Sequence, residues 1–246
     1  MKIILFADNV VGMNIANYLV EQYPSDISMI VTVSENHISE FARKNNVQTC
    51  IFDTSENIAS KFGSDIEFGV LAWWPKIIKQ KLLDKPRQGF INTHPSLLPY
   101  NRGKHYNFWA LVEQSPFGVT LHFVDSGIDT GAIIAQQEIS YDWLDNGETL
   151  YNKAQFVMVE LFTKVYPFLR KGSINPVPQN LSEGSFHHSS ELELASRISL
   201  DQPYKARKLI NLFRARTFND YPGCWFEENN VRYEISIKIV KVLKKD

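Results

Sequence analysis

Long apolar runs are missing from this 246-residue chain, and so is an excess of charge of one sign. No stretch approaches the roughly 18 consecutive apolar residues of a transmembrane helix. The opening "MKIILFADN" has only a short apolar run before Asp8, too brief for the core of a signal peptide. A cytoplasmic protein is therefore expected. The formal net charge of −1 provides no bulk field to recruit nucleic acid or an anionic membrane, so neither is expected as a partner. Cysteine is scarce: Cys50 and Cys224 stand far apart among apolar neighbours and read as buried thiols. Cysteines and histidines show no zinc-type spacing, "HH" at 187–188 lies in a polar, Ser-rich stretch, and no metal is expected. Glycine is short where a dinucleotide turn needs it. "FADNVVG" (6–12) carries only Gly12, which argues against NAD or FAD.

What is present is alternation. Short apolar, β-branched runs at 3–6, 27–33, 47–52, 68–74 and 89–94 are interleaved with helical patterns at 11–22, 37–45 and 76–83. The segment 56–62 fills the remaining gap. This pattern predicts an α/β, Rossmann-like, mostly parallel twisted sheet with helices on both faces. Ligands in such sheets collect at the carboxyl ends of the strands. Beyond it come a helix at 107–114, strands at 118–125 and 132–140, and a long helix at 147–170. The stretch 171–190 is rich in Pro, Gly, Ser and Asn and reads as a linker or surface loop. A helix at 205–216 and a hairpin around Asn229 and Asn230 follow, with apolar alternation from Val231 through Ile239. The expected domains are 1–180 and a small C-terminal region, 181–246. There is no internal repeat.

"FINTHPSLLPYNRG" (90–103) places Asn92 and His94 two apart at the end of the fifth strand, so both side chains face one crevice. Local capping would explain them. So would acyl transfer to an amine, in which an amide donates to a tetrahedral oxyanion and an imidazole handles the proton. A third element, "VDSGIDTGAII" (124–134), carries Asp125 and Asp129 on a Gly-bearing turn. Acids there serve turns commonly, but Asp129 could also orient His94.

Together "NTHPSLLPYNRG" and, 35 residues after His94, the Asp of "GIDTG" resemble the folate-dependent formyltransferase family over roughly residues 1–170. The resemblance implies Asn92, His94 and Asp129 as catalytic trio and 10-formyltetrahydrofolate as one-carbon donor. It places Trp74, Lys76 and Ile77 of "WWPKII", with Asp125 and Ile128, around the pterin. It places Asn9 and the loop residues Tyr100, Arg102, Gly103 and Lys104 on the acceptor side. "KHYNFW" departs from the proline that many members carry after this loop. The tail "FRARTFNDYPGCWFEENNVRYEI" is similar to that of sugar N-formyltransferases. The chain is expected to lack the C-terminal barrel of methionyl-tRNA enzymes, whose substrate also suits a more basic protein. The implied acceptor is thus the amine of a nucleotide-linked amino-deoxy sugar of the dTDP-4-amino-4,6-dideoxyglucose type, for surface polysaccharide. Tyr221 and Trp225 could stack the base, Arg216 could meet a phosphate, and the apolar hairpin face suggests a homodimer. A glycinamide ribonucleotide or methionyl-tRNA type enzyme and a non-catalytic folate or nucleotide-sugar binder remain the alternatives.

Overall fold

The computed structural model of the chain describes residues 1–242. Its strands are β1 (Ile3–Ala7), β2 (Ile27–Thr32), β3 (Thr49–Ile51), β4 (Phe68–Ala72), β5 (Phe90–His94), β6 (Arg102–Gly103), β7 (Gly118–Phe123), β8 (Ile133–Glu138), β9 (Phe186–His187), β10 (Cys224–Glu228) and β11 (Val231–Ile235). The α-helices are α1 (Asn9–Gln22), α2 (His37–Lys44), α3 (Ser55–Ser60), α4 (Gln80–Leu83), α5 (Tyr106–Glu113), α6 (Gly147–Arg170), α7 (Glu191–Ala195) and α8 (Ala206–Arg216). The chain packs as two compact units. The first comprises Met1–His94, Val119–Gln137 and Gln155–Gln179; the second comprises Pro95–Gly118, Glu138–Ala154 and the chain from Asn180 onward.

The first unit is built on a seven-stranded sheet of order β3-β2-β1-β4-β5-β7-β8. Strands β3 to β5 pair in parallel, while β7 runs antiparallel to β5. This is the doubly wound α/β sheet that the alternation predicts. All five residues of β1 are buried, as a central strand covered on both faces requires. One face packs Ile4, Phe6, Met29, Val31, Leu71 and Phe90 against Ile58 and Leu82. Gly12 has a packing reason: a Cβ there would lie 3.0 Å from the Ala7 carbonyl carbon, so glycine lets α1 close on β1. A buried carboxylate, Asp26, accepts from Tyr166 Oη at 3.0 Å and Arg170 Nε at 2.6 Å, tying α6 to the start of β2.

In the second unit β6 pairs in parallel with β9, and β10 forms an antiparallel hairpin with β11. Asn229 and Asn230, at φ 52° and 61°, supply the two left-handed positions of its tight turn. Three local expectations are corrected. Residues 76–79 are not helical, because Lys79 is extended and donates its N–H to Ser55 Oγ at 3.1 Å, so α4 has only four residues. The last hairpin strand ends at Ile235 rather than running to Ile239. The expected loop at 171–190 holds β9.

Candidate active site

Strand β5 carries Asn92 and His94 toward one side of its carboxyl end, and the antiparallel register sets His122 of β7 directly opposite Asn92. The loop between β7 and β8 brings up Asp129. That loop is closed by its own chemistry: Asp125 accepts from the Gly127 N–H at 3.0 Å and from Thr130 Oγ1 at 2.6 Å. The Gln179 amide donates to the carbonyls of Asp129 (2.9 Å) and Gly131 (2.7 Å) and pins it from outside. Asp129 itself is left-handed, at φ 53°.

The three residues singled out from the motifs therefore meet, with one more that sequence reasoning missed. His94 Nδ1 lies 3.5 Å from Asp129 Oδ2, and His122 Nε2 lies 3.6 Å from Oδ1 of the same carboxylate. Asn92 Nδ2 is 3.2 Å from His122 Nε2 and 3.4 Å from Asp129 Oδ1. His122 Nδ1 sits 2.7 Å from the Phe123 carbonyl, which can only accept, so the ring proton is on Nδ1 and Nε2 is an acceptor for Asn92. Burial, reinforced by the neighbouring His94, depresses the His122 pKa to about 4 against the opposing pull of Asp129. His122 is neutral at pH 7. Its sequence signal was Thr120-x-His122, a polar alternation on β7 that repeats Asn92-x-His94 on β5.

Around the crevice, the Trp73 N–H donates to Thr93 Oγ1 (2.8 Å), and Thr93 Oγ1 donates to the Leu71 carbonyl (3.1 Å), holding the "WW" turn against β5. Trp74 packs edge-on to Phe6 (5.3 Å) and Phe52 (5.4 Å), while its buried Nε1–H has no hydrogen-bond partner among the described residues. Lys76 lies 6.0 Å above the Phe52 ring. Ile77 and Ile128 are 83 % and 51 % exposed. Asn9, at φ 59°, opens α1 just beyond β1.

The remaining candidates belong to the second unit. Arg102 lies 5.8 Å from the Phe186 ring, and the exposed Lys104 donates its N–H to the His187 carbonyl at 3.1 Å. Gly103, at φ 90°, has no room for a Cβ, which would fall 2.3 Å from the His187 carbonyl oxygen. Tyr100 is half-buried. Tyr221 is exposed beside Phe218. Trp225 carries the guanidinium groups of Arg232 (4.4 Å) and Arg197 (5.3 Å), and Arg216 meets Glu193 at 3.5 Å.

Comparison with known proteins identifies two segments. Residues 30–166 match the formyl transferase family model, and 191–241 match the model of an N-formyltransferase dimerization C-terminal domain. The methionyl-tRNA formyltransferase of Thermodesulfovibrio yellowstonii is 38 % identical over 149 residues, 60 % of this chain and 47 % of the relative. The dTDP-4-amino-4,6-dideoxyglucose formyltransferase of Mycobacterium bovis is 27 % identical over 61 % of this chain and 63 % of its own. The chain thus spans about half to two thirds of these curated relatives. Among solved structures, a 4-N formyltransferase from Francisella tularensis aligns over 98 % of both chains, with 26 % identity and TM-score 0.79. The formyltransferase PseJ from Anoxybacillus kamchatkensis, solved with UDP-4,6-dideoxy-4-formamido-L-AltNAc and tetrahydrofolate, is 27 % identical, with TM-score 0.57 over 79 % of this chain and 89 % of its own. The family model covers more than half of the sequence, and the chain belongs to the formyl transferase family.

Proposed function

We propose that the protein transfers the formyl group of 10-formyltetrahydrofolate to the amine of a nucleotide-linked amino-deoxy sugar. The observation that carries the reading is the meeting of Asn92, His94 and Asp129 at the carboxyl end of β5. The sugar acceptor is supported by the alignment with a 4-N formyltransferase over 98 % of both chains. The 38 % identity to a methionyl-tRNA formyltransferase favours a second reading, with a tRNA-borne amine as acceptor.

In the proposed reaction the amine lone pair attacks the formyl carbon and the carbonyl electrons move onto oxygen. The Asn92 amide, which now donates to His122 and Asp129, turns one N–H to that oxyanion. Asp129 engages the Nδ1 side of His94, so the ring takes the ammonium proton through Nε2 and its positive charge faces the carboxylate. Collapse breaks the bond to the folate nitrogen, which leaves with a proton. His122, neutral and tied to Phe123, holds the Asn92 amide in place.

Trp74, Lys76, Ile77, Asp125 and Ile128 are proposed to border the pterin. Asn9, Tyr100, Arg102, Gly103 and Lys104, with Tyr221 and Trp225, are proposed to meet the acceptor. The boundary near residue 180 is supported by the two matched segments, and homodimerisation by the C-terminal one. Surface-polysaccharide synthesis in the cytoplasm is the proposed setting; among the described residues no helix is long and apolar enough to cross a membrane. The test is tetrahydrofolate release from 10-formyltetrahydrofolate with dTDP-, GDP- and UDP-linked amino sugars, glycinamide ribonucleotide and methionyl-tRNA. Release confined to one amino-sugar nucleotide is expected and names the acceptor. Release only with methionyl-tRNA selects the second reading, and no release with any acceptor leaves a binder.

A further inference from the structure

The crevice has a second chemical property. One ring nitrogen each of His94 and His122 and a carboxylate oxygen of Asp129 all lie within 4.8 Å of one another. Each imidazole has its own nearest carboxylate oxygen, His94 Nδ1 at 3.5 Å from Oδ2 and His122 Nε2 at 3.6 Å from Oδ1, each close to the edge of a ligand tetrahedron around a zinc-type ion, about 3.3 Å for bonds of about 2.0 Å. His122 is already prepared as a ligand. Its Nδ1–H is committed to the Phe123 carbonyl, which fixes the tautomer and turns the Nε2 lone pair toward the carboxylate. Imidazole ligands of metal sites are held in this way by a carbonyl behind the ring.

A lone pair facing a carboxylate at 3.6 Å is unfavourable unless something positive lies between them. Here it is the Asn92 amide, whose Nδ2 hydrogens reach Nε2 at 3.2 Å and Oδ1 at 3.4 Å. The amide thus sits between two of the three ligand residues, where a cation bound to both would have to displace it. Two imidazoles and one carboxylate select borderline divalent ions such as Zn2+ and Co2+ over Mg2+ or Ca2+. Both rings are almost fully buried, and Asp129, 14 % exposed at its side chain, is the most open of the three ligands.

We infer that His94, His122 and Asp129 form a latent binding site for a Zn2+-class ion, which displaces the Asn92 amide and inhibits the enzyme. Binding forms three coordinate bonds with no redox change; His94 shifts its ring proton from Nδ1 to Nε2 through solvent, freeing the Nδ1 lone pair for the ion. It removes the His94 proton acceptor and the Asn92 donor together. The inhibition rests on the formyl-transfer reading; the binding does not.

The test is titration of the full chain with Co2+, followed by its visible d–d absorption, with Zn2+ added to compete. One equivalent is expected to bind with tetrahedral-type bands that Zn2+ abolishes. His122→Ala and Asp129→Asn, each checked for native circular dichroism, are expected to lose those bands. The Asp129 variant keeps the test decisive if the His122 variant does not fold. Zn2+ is expected to stop tetrahydrofolate release and a chelator to restore it. Absent bands at micromolar protein, bands unchanged in both variants, or a thiolate charge-transfer band placing the ion on Cys50 or Cys224 would overturn the assignment. If the proposed acceptors show no turnover, the cobalt spectrum still decides the site.

Discussion

His122 on β7 of the first unit and His187 on β9 of the second are both buried imidazoles with carboxylates close by. At His122 the carboxylate stands at 3.6 Å, beyond hydrogen-bond reach, and a second imidazole is beside it. Burial wins, and the ring stays neutral. At His187 the ring nitrogens face Glu113 at 2.8 Å and Glu191 at 3.2 Å, while the ring lies flat on Trp109, centroids 3.7 Å apart. Both ring nitrogens thus lie within hydrogen-bond distance of a carboxylate, and the indole covers the face of the ring. The contrast lies in reach: the carboxylate beside His122 stands too far off to bond the ring, while His187 is held from both ends. His187 ties α5 to α7, whereas His94 and His122 are the imidazoles of the proposed chemistry.

The sharpest way to break this contrast is at His94. His94→Ala is expected to lower turnover on the order of 100-fold or more, with little change in Tm. Near-normal tetrahydrofolate release would remove the chemical half of the contrast. Next is pH. The His122 pKa is depressed in the folded protein from about 6.5 to about 4, so below pH 6.5 the unfolded chain takes up a proton that the folded one refuses. The group contributes nothing at pH 7 and costs stability as pH falls from 6.5 toward 4, by up to roughly 3 kcal/mol. Urea midpoints of wild type and His122→Gln across that range are expected to converge on acidification; parallel curves would refute it.

A smaller effect is expected at His187. His187→Ala leaves two half-exposed carboxylates and a gap beside Trp109, costing about 2 kcal/mol in urea unfolding, of which His187→Gln should recover part. Equal losses in both variants would show that ring packing, not donation, matters there. Smallest is Arg232→Ala, which removes an exposed pair with Glu193 and a face of Trp225, an effect below about 1 kcal/mol.

The parallel strands were readable because short, continuous apolar runs such as "IILFA" alternate with helical patterns, the mark of a sheet covered on both faces. The trio was readable because His94 and Asp129 sit in linear motifs. His122 was not, since its partnership with Asn92 is a register across antiparallel strands, which no linear motif records. The short α4 was hidden for a similar reason: Lys79 is held extended by Ser55, 24 residues earlier. Strand β9 was lost in a polar stretch because its partner β6 is two residues of backbone pairing, not an apolar pattern.

The two compact units exchange the chain five times, after residues 94, 118, 137, 154 and 179. For a chain emerging N-terminus first, that division sets an order of assembly. Strands β1 to β5 follow one another closely and can pair as they appear. Helix α5 must wait: the His187 that bridges its Glu113 lies 74 residues further on, across a long loop whose closure costs entropy. Until then the Trp109 face that His187 covers is uncovered, which makes the second unit, not the sheet, the part of a nascent chain most in need of protection.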